Sequence, residues 1–235
     1  MHICFLDIDG TLVLTGGAGQ TAFARTLAED FGIEEIDRDV GFAGRSDRAI
    51  AMDLFRRHGV AATPENWRRF CAGYLTRLDE ALAAHQGHVL PGVAKLLAAL
   101  TERGDVALGL LTGNIREGAR RKLSYYGLWD HFPFGGFGDE HVERCDIAAA
   151  ALAAARLHLD GRSAAKASMG SAPAEGRVLV IGDTLNDIDC GRSIGALCVA
   201  VPTGHTPADV LQRGNPDALV NTLEDLEPVL ALLGD

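Results

Sequence analysis

Apolar residues run almost unbroken through four short stretches of the chain: His2–Ile8, Val106–Leu111, Val178–Ile181 and Ala196–Val201. Unbroken runs of this length suit parallel strands covered on both faces, where alternation would suit a half-exposed sheet. Phe132–Phe137 reads as a fifth, shorter strand, weakened by Pro133, Gly135 and Gly136. Between these runs, helical patterning covers Gly92–Arg103, Arg116–Tyr126, Asp146–His158 and Leu185–Ile194. Strand–helix alternation of this kind predicts βαβ crossovers. Residues 16–86 differ, with helical signals only: Ala18–Phe31, Asp47–His58 and Glu65–His85. Thr63-Pro64 opens the last of these as an N-cap followed by proline at the first helical position.

The pattern predicts an α/β fold: a Rossmann-like parallel sheet core from residues 1–15 and 87–235, with an all-helical cap, 16–86, inserted after the first strand. Gly16-Gly17 is the expected hinge into the cap. Gly161–Gly176, small, polar and aperiodic, is expected to be a surface loop. The Ala148–Ala155 run predicts a helix face packed closely on the sheet.

Charge narrows the partners. With 22 Lys and Arg against 32 Asp and Glu, the formal charge is −10, which argues against nucleic acid and anionic membranes. A small phosphorylated substrate stays compatible, because a bound cation reverses the local field. No apolar run approaches the roughly 20 residues that span a bilayer. The opening residues reach Asp7 too soon for the apolar core of a signal peptide. Five cysteines (Cys4, Cys71, Cys145, Cys190, Cys198) are odd in number and lack a C-x-x-C pair, which suits reduced thiols and a cytoplasmic location.

Three motifs carry candidate chemistry, each at the end of a predicted strand, where open parallel sheets bind ligands. The first is Asp7-Ile8-Asp9-Gly10-Thr11. Residues two apart on an extended segment share a face, so both carboxylates point into one crevice. Such a pair calls for a cation or a shared proton. The second is Thr112-Gly113-Asn114, where a hydroxyl and free backbone N–H groups suit phosphate oxygens. The third, Gly182-Asp183-Thr184-Leu185-Asn186-Asp187, adds two acids one helical turn apart. With Asp7 these form a hard-oxygen set suited to Mg²⁺.

In this order the motifs resemble the haloacid dehalogenase-like hydrolase superfamily, and within it the phosphoglycolate phosphatase-like enzymes with a helical cap. The resemblance spans nearly the whole chain. It implies that Asp7 is a nucleophile taking up the phosphoryl group and that Asp9 is the general acid and then the base. It further implies Thr112 as a phosphoryl ligand, and Mg²⁺ held by Asp7, the Asp9 carbonyl, Asp183 and Asp187, the last directly or through water. The lysine usual in the family is replaced by Arg144, which stays charged but differs in reach. Lys122 and Lys166 fit that role less well, the first on the wrong helix and the second in the predicted loop. Phe42–Asp47 resembles the family's substrate-facing loop. There Arg45 has two open readings, contact with a substrate's anionic end or a capping or ion-pair role, and Asp47 is expected to cap its own helix. Asp139-Glu140-His141 lacks the spacing of a metal site, and His85 and His88 are expected to be solvated.

Small organic phosphate monoesters are the expected substrates. A sugar phosphomutase of the same superfamily is the alternative, since it shares the core residues. A non-catalytic phosphoacceptor or binding protein fits less well, because every acidic position is intact. Asp9 argues against a dehalogenase, which needs no acid for a halide. The absence of lysine before Lys95 argues against phosphonate cleavage through a cap lysine.

Overall fold

The computed structural model describes residues 1–36, 40–166 and 176–234. In chain order the elements are β1 (His2–Leu6), β2 (Val13–Leu14), α1 (Ala18–Phe31), α2 (Asp47–Arg57), α3 (Pro64–Ala84), β3 (His88–Val89), α4 (Val93–Arg103), β4 (Val106–Leu111), α5 (Arg116–Tyr125), β5 (Phe134–Gly136), α6 (Arg144–Lys166), β6 (Val178–Gly182), α7 (Leu185–Ser193), β7 (Leu197–Ala200), α8 (Ala208–Arg213), β8 (Ala218–Leu219) and α9 (Glu227–Leu233). Six strands form a parallel sheet in the order β5-β4-β1-β6-β7-β8.

The apolar runs explain the layering. Along β1, Cys4 and Leu6 join a cluster with Leu96 and Leu100 of α4 and Val229 of α9, while Ile3 and Phe5 join one with Ile147, Ala148 and Ala151 of α6. Period-two alternation thus sends successive side chains to two buried faces. Ala148, Ala151 and Ala155 are fully buried against the sheet, as the alanine run predicts. Gly109 on β4 leaves room for the Phe134 ring, which meets Phe5 edge-on at 6.0 Å.

Between β2 and β3 the elements among the described residues are all helices, α1–α3. This helical unit has its own core, in which the rings of Phe23, Phe70 and Tyr74 lie within 4.5–6.0 Å of one another. Thr63 Oγ1 accepts from Asn66 N at 3.2 Å, capping α3. A two-stranded antiparallel ribbon, β2 with β3, brings both connections to this unit side by side. Gly16 and Gly17 follow, with φ of 64° and 90°, which only glycine adopts freely.

Some expectations change. The sixth helix starts at Arg144 and runs through Lys166, across Gly161, where a loop was expected. One glycine costs a helix only about 1 kcal/mol against alanine, too little to stop a helix with strong formers on both sides. The rest of that predicted loop, 167–175, lies outside the described residues. The ribbon and β8, each strand two residues long, carry too little pattern to be read from sequence. Asp47 does not cap its own helix: Ser46 does, through Ala49 N to Ser46 Oγ at 3.1 Å. His85 is not simply solvated, since its Nδ1 lies 2.8 Å from the Gly16 carbonyl.

Because Phe70 is fully buried in the helical unit's own core, Phe70→Ala should destabilise that unit by about 3–5 kcal/mol. Amide hydrogen exchange should then rise in α1–α3 and stay low in β1, β4 and β6. Equal loss of protection in the sheet would show that the two cores are not separable.

Candidate active site

The three motifs converge at the carboxyl edge of the central strands. Leu6 is in register with Leu110 of β4 and Ile181 of β6. Asp7, Thr112 and Asp183 therefore leave three adjacent strands at nearly the same height. Asp7 N extends the ladder by donating to Ile181 O at 3.0 Å, and Thr112 N donates to Gly136 O at 3.2 Å.

Carboxylates crowd this edge. Among the described residues, Asp7, Asp183 and Asp187 are buried and offer oxygens all within 4.8 Å of one another, a group able to hold a metal ion. Backbone without side chains makes the approach possible. Gly10 turns the chain at φ 87°, and a Cβ there or at Gly204 would overlap the Asp183 carboxylate. A Cβ at Gly182 would overlap that of Asp187. Thr11 Oγ1 adds a bond to Asp183 Oδ1 at 3.3 Å.

Burial, together with the charges of Asp7 and Asp187, pushes Asp183 up to about 8. Burial and Asp187 likewise raise Asp7 well above the carboxylate range, opposed by Arg144. Asp7 Oδ1 is buried and has no hydrogen-bond partner among the described residues. Hard oxygens this close, with two of the acids raised by burial and neighbouring charge, fit a divalent cation.

Arg144 opens α6 and is buried at 8% exposure. It donates through Nη2 to Asp187 Oδ1 and holds Nη1 3.8 Å from Asp7 Oδ1. Burial alone would lower its pKa, but Asp187 and Asp7 raise it. Asp187 is further held by Thr184, whose N and Oγ1 donate to Oδ2 at 3.0 and 2.6 Å. Both Asp187 oxygens thus already accept hydrogen bonds.

Sequence reasoning set Lys122 aside, and the structure brings it into the site. Its ammonium is buried and donates to Asp9 Oδ1 and Oδ2 at 2.9 and 2.7 Å and to Asn114 Oδ1 at 2.7 Å. Burial would lower its pKa, but Asp9, Tyr74 and Asp47 raise it. The signal was present: Ala119, Lys122 and Leu123 of α5 are all buried, and a lysine there needs a partner. Asn114 donates its side-chain amide to Asp9 Oδ2 and Thr112 Oγ1, both at 2.8 Å. Gly113 touches the helical unit, and its carbonyl accepts from Asp47 N at 2.8 Å.

The loop before α2 seats on the core beside these groups. Ser46 Oγ donates to Val142 O at 2.8 Å, Arg48 Nη1 to Asp139 O at 2.9 Å, and Asn186 Nδ2 to Gly44 O at 2.9 Å. Two carboxylates cap α5, Asp47 from Ile115 N at 2.9 Å and Asp139 from Arg116 N at 2.6 Å, where the helix dipole favours negative charge. Asp139 is therefore a cap, and Asp139–His141 is not part of the acid cluster. Arg45 turns its guanidinium to Gly41 O, Ala49 O and Asp53. Between loop and core lies a cavity of about 410 Å³ that reaches Asp7, Asp9, Thr112, Arg144 and Asp183.

The model of haloacid dehalogenase-like hydrolases matches residues 1–195. The chain belongs to that family. As a hydrolase of this family, it is 32% identical over 228 residues to a phosphoglycolate phosphatase of Synechococcus elongatus, covering 96% of this chain and 95% of that one. Its fold is like that of a Pseudomonas syringae hydrolase (TM-score 0.69, 22% identity, 100% and 99% of the two chains). It is equally like CbbY of Rhodobacter sphaeroides, solved with phosphate (TM-score 0.69, 21% identity, 96% and 95%). Among the described residues, no helix of the hydrolase is long and apolar enough to cross a membrane.

The raised acids make stability depend on pH. Asp183 and Asp7 bind protons more tightly folded than unfolded, so the stability these two groups contribute is fully present below pH about 4 and is lost as pH rises, up to about 8. In chelator, the melting temperature should fall between pH 5 and 8, by on the order of 5 °C. Mg²⁺ should restore most of it at pH 8 and little at pH 5, and Asp183→Asn should flatten the chelator profile. A profile that rises with pH in chelator would contradict this electrostatic picture.

Proposed function

We propose that this hydrolase is a Mg²⁺-dependent phosphatase that cleaves small organic phosphate monoesters through a phosphoryl group carried on Asp7. The observation that carries the reading is Asp7 Oδ1, a buried carboxylate oxygen without a hydrogen bond among the described residues, on a residue that lines the cavity and 3.8 Å from a guanidinium. An oxygen so placed is free to attack.

Asp7 Oδ1 bonds to phosphorus as the ester P–O bond breaks, and protonated Asp9 gives its proton to the leaving alkoxide. Asp9 then takes a proton from water. That water attacks phosphorus, the P–O bond to Asp7 breaks, and phosphate leaves with Asp7 restored. Arg144 and the Thr112 hydroxyl bind the transferring oxygens, and the Gly113 N–H adds a backbone donor. Lys122 and Asn114 hold the Asp9 carboxylate in one orientation. Asp7, the Asp9 carbonyl and Asp183, with Asp187 directly or through water, would hold Mg²⁺, which would supply positive charge that offsets repulsion between nucleophile and phosphate.

Residues 16–86 act as the cap over this chemistry, a reading supported by the paired hinge glycines and by the seating of residues 44–48 on the core. A cytoplasmic enzyme is supported by five free cysteines.

Phosphate release from a panel of small monoesters should require Mg²⁺ and stop in EDTA. Asp7→Asn should lower turnover by at least about 10³-fold, and Asp9→Asn by about 10²–10⁴-fold. Turnover that survives Asp7→Asn removes the proposed chemistry.

A further inference from the structure

We propose that Asp47 is a positioning residue for phosphoryl transfer, through which the helical unit holds the core segment 112–115 in its working geometry. The inference rests on the phosphatase reading, in which the Thr112 hydroxyl and the Gly113 N–H bind phosphoryl oxygens and Asp9 moves the proton.

The segment joins β4 to α5, and its bonds leave alternately toward two sides. The core serves one side: Thr112 N donates to Gly136 O at 3.2 Å, and Asn114 O accepts from Gly138 N at 2.8 Å. Asp47 serves the other. Its backbone N donates to Gly113 O at 2.8 Å, and its Oδ2 accepts from Ile115 N at 2.9 Å. One residue thus does for this segment what a neighbouring strand does for a strand, pairing a carbonyl and an N–H two residues apart.

The fit is close. A Cβ at Gly113 would overlap Arg45 O, and one at Gly138 would overlap Gly113 O. Glycine at both positions lets the segment lie between the helical unit and the residues that follow β5.

Asp47 is available for this task because Ser46 already caps α2. The residue that opens α5, Ile115, has no side-chain acceptor and caps nothing. Asp139 accepts from Arg116 N at 2.6 Å, so α5 keeps one cap when Asp47 is replaced, and the loss falls on the segment before it. From there the effect reaches the reacting groups through Asn114. Its amide donates to Thr112 Oγ1 and Asp9 Oδ2, both at 2.8 Å, and its Oδ1 accepts from Lys122 at 2.7 Å.

The test measures kcat and KM in Mg²⁺ for the alkyl monoester of the panel that the unaltered enzyme turns over best. Asp47→Ala should lower kcat by about 10–100-fold, the scale of a small misplacement, with KM changed by less than about threefold. Asp47→Ser, whose hydroxyl stops one bond short of Ile115 N, should lose as much, and carries the test if the alanine chain does not fold. Asp47→Asn keeps an acceptor oxygen in place and should bring kcat to within about fivefold of the unaltered enzyme. Because Asp47 acts through the segment, Asp47→Ala combined with Asn114→Ala should lose less than the product of the two single losses. An unchanged kcat in the folded Ala or Ser variant, a loss carried by KM, an Asn variant no better than Ala, or losses that multiply would each overturn the positioning role and leave the phosphatase reading standing. No turnover of any monoester by the unaltered enzyme overturns that reading, and the positioning role falls with it.

Discussion

Mutual repulsion among buried carboxylates is the constraint around which this molecule is arranged. Asp7, Asp183 and Asp187 converge within 4.8 Å at the edge of a parallel sheet, where burial and neighbouring negative charge raise the pKa of Asp7 and of Asp183. Adjacent strands impose that closeness, because β1, β4 and β6 end at the same height. Glycines at 10, 182 and 204 permit it, since any side chain there would strike an acid. Arg144 and the Thr184 cap offset part of the charge on Asp187. Asp7 Oδ1 is left with charge to share, which is the property a nucleophile in a cation-binding site requires.

The second acid of the first motif is handled differently. Asp9 is held by Lys122 and Asn114, and Asn114 in turn grips Thr112. The group proposed for proton transfer and a proposed phosphoryl ligand are thereby tied by one amide, so displacement of either is felt by the other. The helical unit joins the same assembly, because Asp47 caps α5, the helix that carries Lys122. Seating of the helical unit and order at Asp9 are physically linked.

Sequence pattern revealed what depends on local chemistry. Parallel strands follow from unbroken apolar runs, and the α3 start follows from Thr63-Pro64. The convergence of Asp7, Thr112 and Asp183 follows from acids and a hydroxyl at strand ends in an alternating βα chain. What pattern missed depends on partners remote in sequence. Lys122 reads as misplaced until a fold puts it 113 positions from Asp9 in sequence yet within hydrogen-bond distance. Asp47 looks like a cap for its own helix, but α5 lies close enough to take it. The tie of the Asn114 amide to Asp9 likewise joins residues 105 positions apart. Two-residue strands such as β2, β3 and β8 are set by tertiary pairing alone.

Acid-quenched enzyme, mixed with Mg²⁺ and a turned-over monoester and digested for peptide mass mapping, tests the central role of Asp7 most directly. The account predicts one phosphoryl adduct, on the peptide containing Asp7, lost on incubation at neutral pH and absent in Asp7→Asn. Steady turnover with no adduct in quenches taken across the first turnover, or an adduct on any other residue, would contradict it.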